Sequence, residues 1–377
     1  MYGMVCILIA EGSIIIHHCS GQEKHGVERL MIKRCSDKEG RNPLRGVSMT
    51  TDELPSFGDV QAAAGRLLGR ATRTPLLQNR FLNEDSKREV FLKPEMLQHS
   101  GSFKFRGAYN RISQLTPEER KSGVIAWSSG NHAQGVAAAA KLEGLRARIV
   151  MPEDAPRIKL DNTRALGAEV ITYDRYSEDR EAISYALAER DGGVIVPSFD
   201  DAHVIAGQGT AGLEIFEDAA KEGRALDALL ICCGGGGLTA GCALAAETLS
   251  PDTALFTVEP AHYDDHARSL MSGQRERADT SQPSLCDALL SPTPGVMTFS
   301  INQRLLTGGL VVTESEVKAA MRYAFRVLKL VVEPGGAVAL AALLSGKLDP
   351  RYQSVAIMLS GGNVDPRVFA DVLGEAR

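Results

Sequence analysis

From residue 124 onward the sequence alternates short apolar runs with longer amphipathic ones, and that alternation restricts the fold more than any other feature. An apolar run at 124–127 is followed by a small-residue helical stretch at 132–142, and a run at 147–151 by helical periodicity over 157–166. A further run at 170–173 precedes a helical pattern at 178–189, and 194–196 closes this series. A second series starts at 226–233, passes through consecutive glycines into a helical 238–249, and returns to strand at 254–258. After a Pro/Ser/Thr-rich passage around 279–298 come helical periodicity over 314–328, a glycine-rich helix start at Gly335 and a strand at 355–359. Strands that alternate with helices build parallel sheets covered by helices on both faces. The expectation is an α/β protein with two sheet-bearing units and a cleft between them.

A chain of 377 residues buries a substantial core and has room for two domains. Its 42 Lys and Arg against 47 Asp and Glu leave a formal charge of -5, with no long basic run to follow a phosphate backbone, so no nucleic-acid partner is expected. No stretch has the apolar length of a membrane span, and no membrane association is expected. The seven cysteines lack the spacing of a disulfide framework or a zinc site, which points to reduced thiols and a cytoplasmic location. Cys232, Cys233 and Cys242 read as small core residues. Residues 1–48 do not match the rest: two short apolar bursts broken by Glu11-Gly12-Ser13 give way to a polar, charged stretch. They are expected to be a disordered leader or a misassigned start, with Met49 the first residue proper, ahead of a helical pattern at 57–68.

Three segments carry the chemistry. In Ser102-Phe103-Lys104-Phe105-Arg106-Gly107, Lys104 sits among apolar neighbours, and a lysine whose surroundings favour its neutral form is nucleophilic toward an aldehyde. Taken alone, Lys104 could equally be a snorkelling surface residue and Arg106 a structural anchor. Ser128-Ser129-Gly130-Asn131-His132 follows an apolar run and opens a helix, so its backbone donors suit a substrate carboxylate, although a plain helix cap would look the same. Gly234-Gly235-Gly236-Gly237 lies between a strand and a helix, where bare amides can close around a phosphate. It has neither the dinucleotide nor the Walker spacing, and by itself could be only a tight turn. Together the three segments call for one ligand bearing an aldehyde, a polar ring and a phosphate.

These segments, with Leu359-Ser360-Gly361-Gly362-Asn363, resemble the fold type II pyridoxal-phosphate enzymes, in particular the serine/threonine ammonia-lyase and serine racemase branch, from Thr74 to Asp365. The resemblance implies the tryptophan synthase β-like fold, two open twisted sheets flanked by helices. It implies a large cofactor-binding domain of residues 49–122 and 201–377, a small mobile domain of 123–200, and a homodimer. The cofactor would be pyridoxal 5'-phosphate, joined to Lys104 as a Schiff base, with Phe103 beside it, Asn131 at its ring hydroxyl, Gly234, Gly235, Gly236, Gly237 and Leu238 at its phosphate, and Ser360 facing its ring nitrogen. Ser102 and Ser129, Gly130, Asn131 and His132 would hold the substrate carboxylate.

The implied reaction removes the α-proton and the β-hydroxyl of a small hydroxy amino acid, giving a 2-oxo acid and ammonia. Lys104 would move the proton, and Ser129, on the opposite face, is the group that would make a racemase. L-threonine and L-serine are the default substrates; a racemase, or a lyase for 3-hydroxyaspartate or 3-phenylserine, is the alternative. Arg180 matches a substrate-binding position and could hold a second carboxylate, or could form a helix ion pair with Glu178. Glu259, the backbone oxygen of Tyr263 and Asp265 resemble a divalent-cation loop suited to Mg2+ or Ca2+, against the alternative of a solvated acidic loop. The end of the chain soon after Ser360 leads us to expect no regulatory domain there.

Overall fold

The computed structural model describes residues 4–10, 13–19, 54–155 and 157–375. Contacts divide the chain into two units, Met1–Ser48 and Met49–Arg377. In the first, strands β1 (Met4–Ala10) and β2 (Ser13–Cys19) pair antiparallel, Ala10 opposite Ser13. The rest of the expected leader, residues 1–3, 11–12 and 20–48, lies outside the described residues.

The second unit holds β3 (Leu77–Gln78), β4 (Glu89–Pro94), β5 (Val124–Trp127), β6 (Ala147–Pro152), β7 (Glu169–Tyr173), β8 (Val194–Ile195), β9 (Ala228–Cys232), β10 (Ala254–Pro260), β11 (Gly308–Val312) and β12 (Ser354–Leu359). They form a six-stranded sheet ordered β11-β10-β9-β12-β4-β3 and a four-stranded sheet ordered β7-β6-β5-β8. Every pairing is parallel except β3 with β4. This is the expected α/β architecture of two sheets flanked by helices.

The apolar strands are continuous rather than alternating because both sheet faces are covered. In β9, Leu230 and Cys232 enter a core with Val338 and Leu340 of the helix Pro334–Leu344, while Leu229 and Ile231 enter a second core with Ile205 and Leu213 of the helix Ala202–Lys221. Fully burying one such side chain stabilises the fold by about 1.5–3 kcal/mol. A third core surrounds β5 and β6, where Val124, Ala126 and Ile149 meet Val136 and Ala140 of the helix Asn131–Leu142. Cys232, Cys233 and Cys242 are buried, free thiols, as expected.

Three departures from the sequence reading matter. Strand β4 and the helix Ala202–Lys221 were not marked by it. The Pro/Ser/Thr-rich passage ends in a helix, Val296–Leu305, that begins before the expected end of the loop. Periodicity over 314–328 covers an α-helix to Tyr323 and then a wider π-turn, Ala324–Leu328, stopped by Lys329 at φ 60. Among the described residues no helix is long and apolar enough to cross a membrane.

Candidate active site

The chemistry-bearing segments leave the carboxyl ends of β4, β5, β9 and β12, the edge at which open parallel sheets bind ligands. Beyond β4, Ser102 bridges to Gly361, and the Phe103 amide donates to Ser360 O at 3.1 Å, tying the lysine segment to the end of β12. Lys104 then opens the helix Lys104–Ile112. Its Nζ donates to Ser198 O at 2.8 Å and lies 5.2 Å from the centre of the Phe103 ring. Desolvation lowers its pKa to about 8, and among the described residues no carboxylate pairs with it. Relative to an ordinary lysine this raises the neutral fraction at pH 7 by roughly two to three hundredfold.

Arg106 proves to be the anchor. Its Nε and Nη2 each donate to Glu95 at 2.8 Å, while Nη1 and Nη2 reach the two Glu214 oxygens at 2.8 and 2.9 Å. Lys93 joins the same cluster, donating to Glu214 at 2.6 Å and to Thr74 O at 2.7 Å. Burial alone would raise Glu95, but the guanidinium outweighs it and holds the carboxyl below its usual range. This cluster clamps the first turn of the lysine helix to β4 and to the helix Ala202–Lys221.

After β5, Ser128 Oγ accepts the Gly130 amide at 3.2 Å and Asn131 starts its helix. Asn131 Nδ2 donates to Glu333 Oε1 at 2.5 Å, and its Oδ1 accepts from Asn363 Nδ2 at 2.8 Å. Burial, reinforced by the charge of Asp287, raises Glu333 to about 7. His132 turns inward: its Nε2 meets Val196 O at 2.8 Å, so that nitrogen carries the proton, and burial followed by the Lys104 charge lowers its pKa to about 3. His132 therefore braces the loop through its ring, with Nδ1 left without a partner. Beside the loop, Lys159 makes an ion pair with Asp287.

Beyond β9, Gly236 adopts φ +92 and the helix Gly237–Leu249 begins. A Cβ on Gly235 would run into the Phe199 ring, and one on Gly236 would lie 2.5 Å from His266 Nε2. Only bare backbone fits there. Leu238 is buried one residue into the helix, and Ser360 is 5% exposed at the end of β12.

Ser128, Ser129, Pro152, Tyr173, Arg175 and Arg180 line one small cavity. Arg175 is paired with Asp154 at 2.7 Å. The side chain of Arg180 has no hydrogen-bond or ion-pair partner among the described residues, and Glu178 instead accepts the Asp174 amide. The helix ion pair considered from sequence does not form.

Glu259 and Asp265 are buried near one another, and desolvation raises both, Asp265 to about 7. Glu259 accepts the His266 and Ala267 amides at 2.9 and 2.7 Å, which caps the helix Asp265–Ser272, while Asp265 Oδ2 has no partner. The Tyr263 hydroxyl donates to Gln282 O at 3.1 Å. The acidic loop is thus buried rather than solvated. Three described side chains, Cys233, Glu259 and His266, bring their donor atoms together. Glu259 is accounted for as a helix cap, and no step of the chemistry is assigned to a metal.

The segment Ser198-Phe199-Asp200 escaped the sequence reading, yet it accepts the Lys104 amine, packs on Gly235 and caps the helix Val296–Leu305. Lys159 escaped as well, because a lysine in a polar helix reads as a solvated face. A deprotonable amine, an orphaned Ser102 Oγ, an unpartnered His132 Nδ1 and a turn that admits only glycine fit pyridoxal 5'-phosphate in donor chemistry and in shape.

Comparison with known proteins agrees with that fit. The family model described as pyridoxal-phosphate dependent enzyme matches residues 67–361. An L-threo-3-hydroxyaspartate ammonia-lyase of Pseudomonas sp is 45% identical over 85% of this chain and 99% of its own. A serine racemase of Schizosaccharomyces pombe is 40% identical over 85% of this chain and 98% of its own. Among solved structures, a serine racemase from Dictyostelium discoideum superposes with a TM-score of 0.76 at 37% identity, covering 82% of this chain and 99% of that one.

Proposed function

The chain belongs to the pyridoxal-phosphate dependent enzymes, in the group of hydroxy amino acid ammonia-lyases and racemases, and from that premise we propose that it is an L-threo-3-hydroxyaspartate ammonia-lyase. The observation that carries this reading is the unpaired Arg180 guanidinium in one cavity with Ser128 and Ser129. A substrate with one carboxylate leaves that cation unused; a substrate with two gives it a charge-assisted, bidentate partner. The similarity to an L-threo-3-hydroxyaspartate ammonia-lyase supports the same choice. L-threonine and L-serine, the default from sequence, become secondary substrates.

The cofactor supplies an electrophilic aldehyde and an electron-withdrawing ring. The protein's part follows from its own groups. Lys104, with its lowered pKa, takes the proton from the substrate α-carbon. The Ser129-Gly130-Asn131-His132 loop and Ser102 hold the α-carboxylate, Arg180 the β-carboxylate, and Phe103 packs beside the ring. Asn131, fixed between Glu333 and Asn363, would hold the ring hydroxyl of the cofactor, and Ser360 would hold its ring nitrogen. Breaking the α-C–H and β-C–O bonds expels water; the enamine released tautomerises to an imine, which water hydrolyses to oxaloacetate and ammonia. Ser129, on the face opposite Lys104, returns a proton there in a minor racemisation. Residues 123–200 act as a small domain that closes on 49–122 and 201–377, with the Lys159–Asp287 pair as the tie across the cleft.

Arg180→Gln tests the substrate assignment. A lost charge-assisted hydrogen bond is worth about 1.5–3 kcal/mol. The variant's kcat/KM for L-threo-3-hydroxyaspartate is expected to fall roughly tenfold to a hundredfold, with that for L-serine within about threefold. Equal loss on both substrates, or none on either, refutes the assignment.

A further inference from the structure

The glycine turn is held from behind by side chains that lie in none of the motifs. Asn302, fully buried on the helix Val296–Leu305, places Nδ2 at 3.3 Å from Gly236 O and 3.1 Å from His266 Nε2. An amide nitrogen only donates, so His266 Nε2 accepts and the ring proton resides on Nδ1. Thr239 Oγ1 donates to the same Gly236 carbonyl at 2.9 Å, and Thr298 Oγ1 donates to Gly235 O at 2.7 Å. Asp200 fixes the helix that carries Thr298 and Asn302 by accepting the Val296, Met297 and Thr298 amides at 2.9, 2.9 and 3.1 Å.

Two successive carbonyls are therefore drawn toward the protein interior. When carbonyls are drawn to one side of such a turn, its N–H groups face the other, which is the geometry of a backbone anion nest. The His266 ring lies directly under Gly236, at the place a side chain would otherwise occupy, and orients the Asn302 amide. We propose that Thr298 and Asn302, with His266 behind Asn302, are positioning residues that aim the amides of Gly236 and Gly237 at the cofactor phosphate. None of the three needs to touch the cofactor. The proposal rests on the family's cofactor and is independent of which hydroxy amino acid is the substrate.

The test compares two ligands of the apo-protein, pyridoxal 5'-phosphate and pyridoxal, which share the aldehyde and ring and differ in the phosphate. Asn302→Leu removes the amide that bonds Gly236 O and His266, and Thr298→Val removes the hydroxyl that bonds Gly235 O with little change of shape. For each, dissociation constants come from visible absorbance and the bound phosphate from its phosphorus NMR resonance. Each carbonyl keeps another donor, so losing one of the donors that share it is expected to weaken pyridoxal 5'-phosphate by roughly threefold to tenfold, while pyridoxal stays within about twofold. The phosphorus resonance of the bound cofactor is expected to shift. Parallel weakening of both ligands marks a merely structural role and overturns the proposal, as does an unchanged affinity ratio. Thr298→Val reads the same ratio if Asn302→Leu fails to fold.

Discussion

Replacing Arg106 by methionine should separate the anchoring of the lysine helix from its chemistry. The guanidinium makes a two-pronged contact with each of Glu95 and Glu214, all three groups are buried, and only Lys93 remains as a cation once it is gone. Removing one partner of a buried ion cluster costs about 3–5 kcal/mol, because the surviving charge has lost its compensation rather than because the pair itself was strongly favourable. The pH dependence gives the sharper signature. In the parent protein Glu95 sits below its usual range, so its contribution is present at neutral pH and is lost as pH falls through the folded value. In the variant the buried carboxyl loses the guanidinium that held it down, and burial pushes it up. Its folded form then gains relative stability as pH falls. The deficit in denaturation free energy should therefore be largest at neutral pH and shrink on acidification through the carboxylate range. Urea titrations of parent and variant, at unchanged m and a series of pH values, measure it. A neutral-pH deficit under about 1 kcal/mol, or one that grows as pH falls, refutes the reasoning.

Further outcomes are expected from the catalytic groups. Lys104→Ala should abolish both turnover and the visible absorbance of the covalently held cofactor; a retained imine band at a normal cofactor ratio would remove Lys104 from its role. Apo-protein should capture pyridoxal at a rate that climbs as pH rises through about 8 and levels beyond it, since the neutral amine is the nucleophile; a midpoint near the ordinary lysine value of 10.5 would contradict the desolvation of Lys104. Ser129→Ala should suppress formation of the opposite enantiomer more than cofactor binding, measured by chiral analysis of the recovered substrate; unchanged enantiomer formation would reject its assignment.

Much of the architecture was legible because parallel strands buried on both faces leave unbroken apolar runs, as in Ala228–Cys232 and Ser354–Leu359. Strand β4 was hidden because it carries Glu89 and Lys93, and Lys93 looks exposed until Glu214, far along the chain, is brought to it. The long helix Ala202–Lys221 was hidden by glycines that lower its helical signal, yet those small residues let neighbouring elements approach. At the site, the lysine, serine and glycine segments were legible as motifs because each concentrates its chemistry locally. The residues that position them are scattered: Ser198, Asp200, Thr298 and Asn302 act through hydrogen bonds whose partners lie far away in sequence. Arg180 was visible, but only the fold places it in one cavity with Ser129.

The most direct test of the account is to incubate pyridoxal-phosphate-loaded protein with L-threo-3-hydroxyaspartate, L-threonine, L-serine and L-threo-3-phenylserine, and to quantify the 2-oxo acid formed together with the enantiomers left behind. The account predicts oxaloacetate from L-threo-3-hydroxyaspartate with a kcat/KM at least about tenfold above that for the substrates with one carboxylate. Enantiomer interconversion without oxo acid, or a preference for L-threonine or L-serine, would contradict it.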